Sequence, residues 1–348
     1  MTTICTTLEP GHAAAWDSFV AGHADATFFH QAAWQQVIER AFGHRTHYLL
    51  AERDGAVVGV LPLVHVRSLL FGQSLISVPF CVYGGPLAAD AEALAALEVA
   101  ARAVMRSAGV SVMEWRPWRA LPEGGDVDGW QTRGDLYVTF RNPISGDDEA
   151  NLKAIPRKQR AMVRKGIDRG LASVVDQDVR RLHRIYAESV RNLGTPVFSR
   201  RYFEILAETF PAQMDVLTVL DGDAPVASVL NFYWRDEVIP YYGGGTAAAR
   251  GCYGNDFMYW EVMRHAAARG CRLFDYGRSK VGTGAFAFKK NWGFTPEPLQ
   301  YRFLLAPGAS IPDHNPLNPK YRLFIAAWKK LPLPVANLLG PHIVSGVG

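Results

Sequence analysis

Residues 277–294 read GRSKVGTGAFAFKKNWGF, with four basic side chains, three glycines in the first eight positions and no Asp or Glu. That mixture suits an anionic substrate. Gly282 and Gly284 let backbone N–H groups come close to an anion. Arg278 offers a bidentate clamp on phosphate, and Lys280 a point charge. Ser279, Phe288, Lys290 and Trp292 complete a substrate-binding set, with Phe286 and Phe288 anchoring the returning chain. Lys289 is expected to stabilise oxygen charge as an acyl carbon becomes tetrahedral. Gly282-x-Gly284-x-x-Ala287 imitates a dinucleotide fingerprint, but that motif needs a helix after it. Here residues 285–288 are small or aromatic and lead to a turn at NWGF. The bland alternative is a solvated surface loop, which leaves Phe286, Phe288 and Trp292 without a purpose.

Acid–base candidates are fewer. Asp275 ends a strand beside this loop, but it also reads as the structural counterpart of Glu114. Tyr242 and Tyr83 each precede Gly-Gly, where a phenol would protonate a leaving group; core packing is the alternative. The ten histidines are scattered and have no metal-ligand spacing, so no metal is expected. A second basic cluster lies at residues 153–169, with seven Lys or Arg and one acid, Asp168. Pro156 suits the first turn of a helix, and the segment shows no clean apolar stripe. Arg157, Lys158 and Arg160 then either face a polyanion or sit on a solvated connecting helix.

The elements that must position these residues occur twice. AERDGAVVGVLPLV, VPFCVYGGPL and ALEVAARAVMRSAGVSVMEWRP are answered by TVLDGDAPVASVLNFYW, EVIPYYGGGT and YWEVMRHAAARGCRLFDYGRS. Tyr83-Gly84-Gly85 corresponds to Tyr242-Gly243-Gly244, Glu98 to Glu261, Gly109 to Gly270, and Glu114-Trp115 to Asp275-Tyr276. Their offsets stay between 159 and 163 residues, as expected for one fold used twice. Each copy holds a hairpin with an Asp-Gly turn, a strand ending at Tyr-Gly-Gly, a helix and a short buried strand. Leu94, Leu97, Ala101, Val104 and Ala108 fall at helical spacing. Asp90 and Asn255 are the expected caps, and Gly109 and Gly270 the terminators.

Bulk properties set the class. The 348 residues are 49% hydrophobic and 20% charged, enough for two cores. No global preference for nucleic acid follows from a net charge of +4, so local clustering must decide. Cys5, Cys81, Cys252 and Cys271 form no C-x-x-C pair, which reads as a reduced, cytoplasmic protein. The N-terminal residues lack the pattern of a signal peptide, and no run reaches a membrane span.

The order helix, hairpin, strand, helix, strand resembles the Gcn5-related N-acetyltransferase (GNAT) fold. Two copies joined by a basic helix resemble the FemABX peptidyl transferase family, most nearly the FemAB-like proteins found with exosortase (PEP-CTERM) and exopolysaccharide systems. The resemblance rests on FFHQAAWQQVI, DGAVVGVLPL, IPRKQRAMVRKGIDRG, LGTPVFSRRYFEIL and FDYGRSKVGTGAFAFKKNWGF, and covers roughly residues 28–303. It implies transfer of an acyl group, often aminoacyl from charged tRNA, to an amine on a cell-envelope precursor. It puts the family's Phe-Lys pair on Phe288-Lys289, where acceptor phosphate and reacting acyl group meet. One departure counts against coenzyme A. The pyrophosphate loop R/Q-x-x-G-x-G/A would fall on residues 248–253, where Ala248 and Tyr253 replace the polar anchor and the small residue and only Gly251 fits.

The fold expected is therefore α/β (α+β): tandem duplicated GNAT-like domains with mixed central sheets flanked by helices. The domains expected are 1–150, 151–306 with the basic linker helix at its start, and a tail, 307–348, packing across them. The function expected is FemAB-like amide formation on an envelope or exopolysaccharide precursor. Lys289, Tyr242 and Asp275 are its catalytic candidates, and no cofactor is expected. The rivals are a CoA-dependent N-acyltransferase acting on a nucleotide sugar or polysaccharide precursor and a non-catalytic binder of anionic glycan or RNA. The partners expected are aminoacyl-tRNA as donor and an anionic precursor as acceptor. The chain is expected as a monomer in the cytoplasm, at the inner face of the membrane if the apolar tail with Lys329 and Lys330 anchors there.

Overall fold

Asp54 and Gly55 both adopt left-handed backbone, φ 53° and 77°, and so close a tight hairpin between the longest strands of the first half. The computed structural model describes residues 2–68, 70–121, 129–312 and 321–348. In chain order the first half runs β1 (Ile4–Thr7), α1 (Ala13–Gly22), α2 (Trp34–Phe42), β2 (Arg45–Arg53), β3 (Ala56–Ser68), β4 (Gly72–Ser77), β5 (Leu87–Ala88), α3 (Ala91–Ser107), β6 (Val112–Trp115) and β7 (Trp130–Arg133). The second continues through β8 (Val138–Pro143), α4 (Asp148–Ala154), α5 (Arg157–Asp168), β9 (Ala172–Val175), α6 (Arg180–Leu193), α7 (Arg200–Thr209), β10 (Met214–Asp221), β11 (Ala224–Trp234) and β12 (Glu237–Gly245). Then come α8 (Ala247–Gly251), α9 (Gly254–Ala268), β13 (Leu273–Asp275), α10 (Gly284–Asn291), β14 (Pro296–Pro298), β15 (Tyr301–Leu305), α11 (Arg322–Trp328) and α12 (Leu333–Val344).

Two mixed sheets result, and the duplication is plain in their order. The first is β1-β2-β3-β4-β6-β15-β7, and the second, read from its other edge, is β9-β10-β11-β12-β13-β8-β14. β4 pairs in parallel with β6, and β12 with β13. A parallel pair needs a crossover, which α3 and α9 supply. Gly109 and Gly270, at φ 63° and 88°, follow those helices as expected terminators. Asp90 caps α3 by accepting from the Ala93 N–H at 2.9 Å. The expected cap Asn255 instead lies inside the first turn of α9, whose N-cap is Tyr253 in left-handed conformation.

The chain divides into two compact units: residues 1–136, 298–314 and 345–348, and residues 137–297 and 315–344. The expected boundary after residue 150 falls instead after Leu136. The reason is β-pairing: β8 follows the first copy in sequence but pairs with β13, at Leu273↔Pro143. Likewise β15 follows the second copy but lies between β6 and β7. Of the expected tail, residues 313–320 lie outside the described residues, and α11 and α12 belong to the second unit.

Each unit has its own core. Leu49, Leu61, Leu97, Met113 and Trp115 centre the first. Phe140, Val229, Phe257, Trp260, Phe274 and Trp292 are among those centring the second. α5 packs on α9 through Gln159, Val163 and Gly166, spaced i, i+4, i+7. The segment has no apolar stripe, as expected, but it does have a packing face. The face is built of small and polar residues, so an apolar count misses it: a Cβ on Gly166 would lie 2.9 Å from Phe257 Cβ.

Candidate functional site

In the second unit β12 and β13 pair only at Glu237↔Leu273 and Val238↔Phe274. β13 then ends at Asp275, while β12 runs on to Gly245. Just past the paired stretch, Leu230 faces Tyr242 and Asn231 faces Pro240, leaving Tyr241 as an extra, bulged residue. Pro240 lacks an N–H and Tyr241 breaks the register, so the ladder is interrupted where the two strands part.

A cavity of about 590 Å³ opens beside the far end of β12. Gly244, Gly245 and Thr246 line it along the strand, and Ser189, Asn192 and Leu193 come from α6. Asn255, Met258 and Tyr259 of α9 face it, as do Gly284, Phe288 and Lys289 of α10. The glycines are required by contact: a Cβ on Gly244 would sit 2.4 Å from Ser189 Oγ, and one on Gly245 2.5 Å from Asn255 Oδ1. Among the described residues lining the cavity there is no Asp, Glu or His; Arg250 and Lys289 are its cations.

Lys289 is the most constrained of these. Its Nζ donates to the carbonyls of Tyr276 (2.7 Å), Gly277 (3.2 Å) and Arg278 (3.0 Å), so all three ammonium protons have partners. Burial pushes its pKa down to about 7, Asp275 pulling upward and Arg278 adding to the depression. In this arrangement the ammonium pins the turn after β13 rather than facing an oxyanion.

Of the other expected residues, Gly284 and Phe288 also reach the cavity, and the rest are scattered. Tyr242 is buried, and its phenol is 2.8 Å from that of Tyr202. Asp275 is fully buried, accepts from the Gly277 N–H at 2.6 Å and lies 3.4 Å from Arg141. Ser279 is buried and forms a backbone bridge with Val138, its hydroxyl unpartnered. Arg278 and Lys280 lie over the Tyr137 ring at 4.6 and 5.4 Å. Gly282 (φ 82°) makes the turn before α10, and exposed Lys290 lies 5.8 Å over Phe286. Trp292 is a core residue whose indole donates to Asp256 at 3.1 Å. Arg157 and Lys158 are exposed on α5, and Arg160 donates to the Lys153 carbonyl at 3.3 Å. Residues 285–288, expected not to form a helix, are instead part of helix α10, and the expected turn at NWGF follows at its C-terminal end. Thr283 caps it by accepting from the Phe286 N–H, and Ala285, Ala287, Lys289 and Lys290 are good helix formers.

Sequence reasoning missed Ser189, Asn192, Thr246, Arg250 and Tyr259. The third glycine, Gly245, carried a usable signal, because a run of three small residues ending a strand marks a close approach. The α8 N-terminus next to the cavity carries its own anion. Glu188 accepts from the Ala247 N–H at 3.0 Å, at the start of α8. A carboxylate therefore occupies the end of this segment that would otherwise attract phosphate.

Residues 153–290 match the model of the acetyltransferase (GNAT) domain family. The second unit carries a GNAT acyltransferase domain. The solved structure of FemX shares the fold with a TM-score of 0.67 at 16% identity, covering 92% of this chain and 99% of that one. The structure of L-PGS from Bacillus licheniformis is similar with a TM-score of 0.55 at 12% identity, covering 98% of both chains. A tandem GNAT protein from the clavulanic acid biosynthesis pathway gives 0.54 at 14% identity, over 88% of this chain and 99% of that one. No curated protein matches the sequence significantly. The fold is thus two GNAT-like units in tandem.

Proposed function

We propose that the cavity beside β12 is the site of acyl or aminoacyl transfer to an amine. The observation that carries this reading is the interrupted β12–β13 pairing beside a glycine-lined cavity with Arg250 in its wall and Lys289 holding the turn at its edge. Such a site accepts an anionic donor or acceptor through Arg250. The amine lone pair attacks the acyl carbonyl carbon, the bond to the leaving oxygen breaks, and the amine proton passes to solvent or substrate. Burial pushes the Tyr259 phenol up to about 12, so it suits protonating the leaving oxygen rather than acting as base. Arg250 holds phosphate, and Lys289 positions the turn at residues 276–278.

The donor favoured is aminoacyl-tRNA. Glu188 on the α8 N-terminus and Tyr253 at the start of α9 disfavour a CoA pyrophosphate there, and exposed Arg157 and Lys158 give α5 a basic face for RNA. FemX and L-PGS support this reading by fold. The residue resemblance to FemAB-like proteins of exosortase systems supports an acceptor among envelope or exopolysaccharide precursors. CoA-dependent transfer is the second reading, favoured by the acetyltransferase domain match. Calorimetry with CoA and acetyl-CoA, beside a transfer assay with aminoacyl-tRNA, separates the two. CoA binding no tighter than about millimolar, near −4 kcal/mol, together with amide formation from charged tRNA, supports the first. Micromolar CoA binding lost in Gly251→Val supports the second.

A further inference from the structure

α11 and α12 are seated on one side and bare on the other. In α12, Ala336 and Gly340 are buried, and a Cβ on Gly340 would lie 2.9 Å from the Val197 backbone. On the opposite face Val335, Leu338 and Leu339 are exposed, at i, i+3 and i+4. α11 adds Leu323, 84% exposed, and Phe324, which stacks on buried Trp328 with ring centroids 5.4 Å apart. Residues 321–344 contain Arg322, Lys329 and Lys330 and no Asp or Glu.

We propose that this face docks on an anionic lipid bilayer surface. Exposed large apolar side chains flanked by cations, with no acid, are what an interfacial helix presents to acidic headgroups. A second copy is disfavoured, because it would set three cations against three. Residues 313–320, DHNPLNPK, offer one large apolar side chain, Leu317, too little to cover five. No helix among the described residues is long and apolar enough to cross a membrane, so the contact is peripheral. It is also next to the cavity. Leu193 lines the cavity and is 69% exposed, and a Cβ on its neighbour Gly194 would lie 2.5 Å from Ile325 Cγ2. Docking therefore presents the cavity mouth to the lipid headgroups and selects a lipid-linked amine acceptor; this last step rests on the acyl-transfer reading.

Sedimentation of the full chain with vesicles tests docking without any catalytic assay. Binding is expected to phosphatidylcholine vesicles containing phosphatidylglycerol and not to phosphatidylcholine alone, and to weaken as salt rises. Leu323→Glu with Leu338→Glu, both surface changes, should abolish it while leaving the melting temperature unchanged. Lys329→Ala with Lys330→Ala should weaken it by on the order of tenfold or more. No sedimentation with phosphatidylglycerol vesicles, or binding unaffected by the paired Glu substitutions, would overturn the proposal. So would a concentration-dependent dimer that the same substitutions dissolve. Vesicle binding without any transfer activity would uphold docking and count against the acyl-transfer reading alone.

Discussion

The two units place the same backbone groups at the end of their parallel pair and then treat them differently. In the first, the Arg116 carbonyl accepts from both Gly84 N–H (3.0 Å) and Gly85 N–H (3.1 Å), which zips the strand ends together. Arg116 is locked there by bonds to Cys81 and Glu114, and Pro117 packs on Gly85. In the second, the equivalent position is Gly277, and its carbonyl accepts from Lys289 Nζ instead. A side chain on α10, not a backbone N–H of β12, holds the carbonyls of residues 276–278. The first unit's nearby cavity, beside Gly85 and Pro117, is about 180 Å³, against 590 Å³ in the second. One fold thus gives a closed and an open strand end. The difference lies in the partner of one carbonyl.

Substitutions at matched glycines test that contrast first. Gly244→Val would drive a side chain into Ser189 and fill the cavity, and transfer activity should fall on the order of thousandfold, about 4 kcal/mol. Gly85→Val meets the Pro117 backbone at 2.6 Å. It should cost stability instead, about 3 kcal/mol by overpacking, read from chemical denaturation. Equal activity losses at both positions would erase the distinction.

Acid should separate the units next. His30 in the first unit is fully buried; its Nε2 reaches the Gly85 carbonyl (3.0 Å), and its Nδ1 accepts from the Thr27 N–H (3.0 Å). Burial lowers its pKa from 6.5 to about 4. The unfolded chain then binds the extra proton between those values, so this contribution is complete above pH 6.5 and lost as pH falls toward 4. About 3 kcal/mol is at stake. Hydrogen exchange should show first-unit amides losing protection across that window and His30→Gln flattening the dependence.

Lys289→Met should lower kcat/KM about hundredfold, near 2.7 kcal/mol, as three carbonyls lose a charged donor. The melting temperature should change little, because a buried charge leaves with it. The smallest effect is on pH. Three carbonyls need the protonated amine, so activity should decline as pH rises through about 7, and Lys289→Arg should remove that limb. Linkage gives stability the opposite sign: between about 7 and 10.5 the unfolded lysine holds a proton the folded one has released, so stability rises with pH there.

The duplication was legible because hairpin turns, Tyr-Gly-Gly and helix-terminating glycines are local and repeat in order. The strand exchange was not, because β8 and β15 pair with partners far away in sequence, and alternation within a strand does not name its neighbour. At the site, Gly284, Phe288 and Lys289 were picked out by composition and reach the cavity. Trp292 was picked out for its ring, which the core uses. Ser189 and Asn192 sit on an amphipathic helix whose pattern announces only its buried side, so nothing local sets them apart.

The most direct test of the central claim is a crystal structure of Lys289→Met. The turn at residues 276–278 is expected to close onto β12, with the Gly277 carbonyl accepting from a β12 N–H as Arg116 accepts from Gly84 and Gly85, and most of the 590 Å³ lost. An unchanged cavity, with those carbonyls taken by water, would contradict the claim.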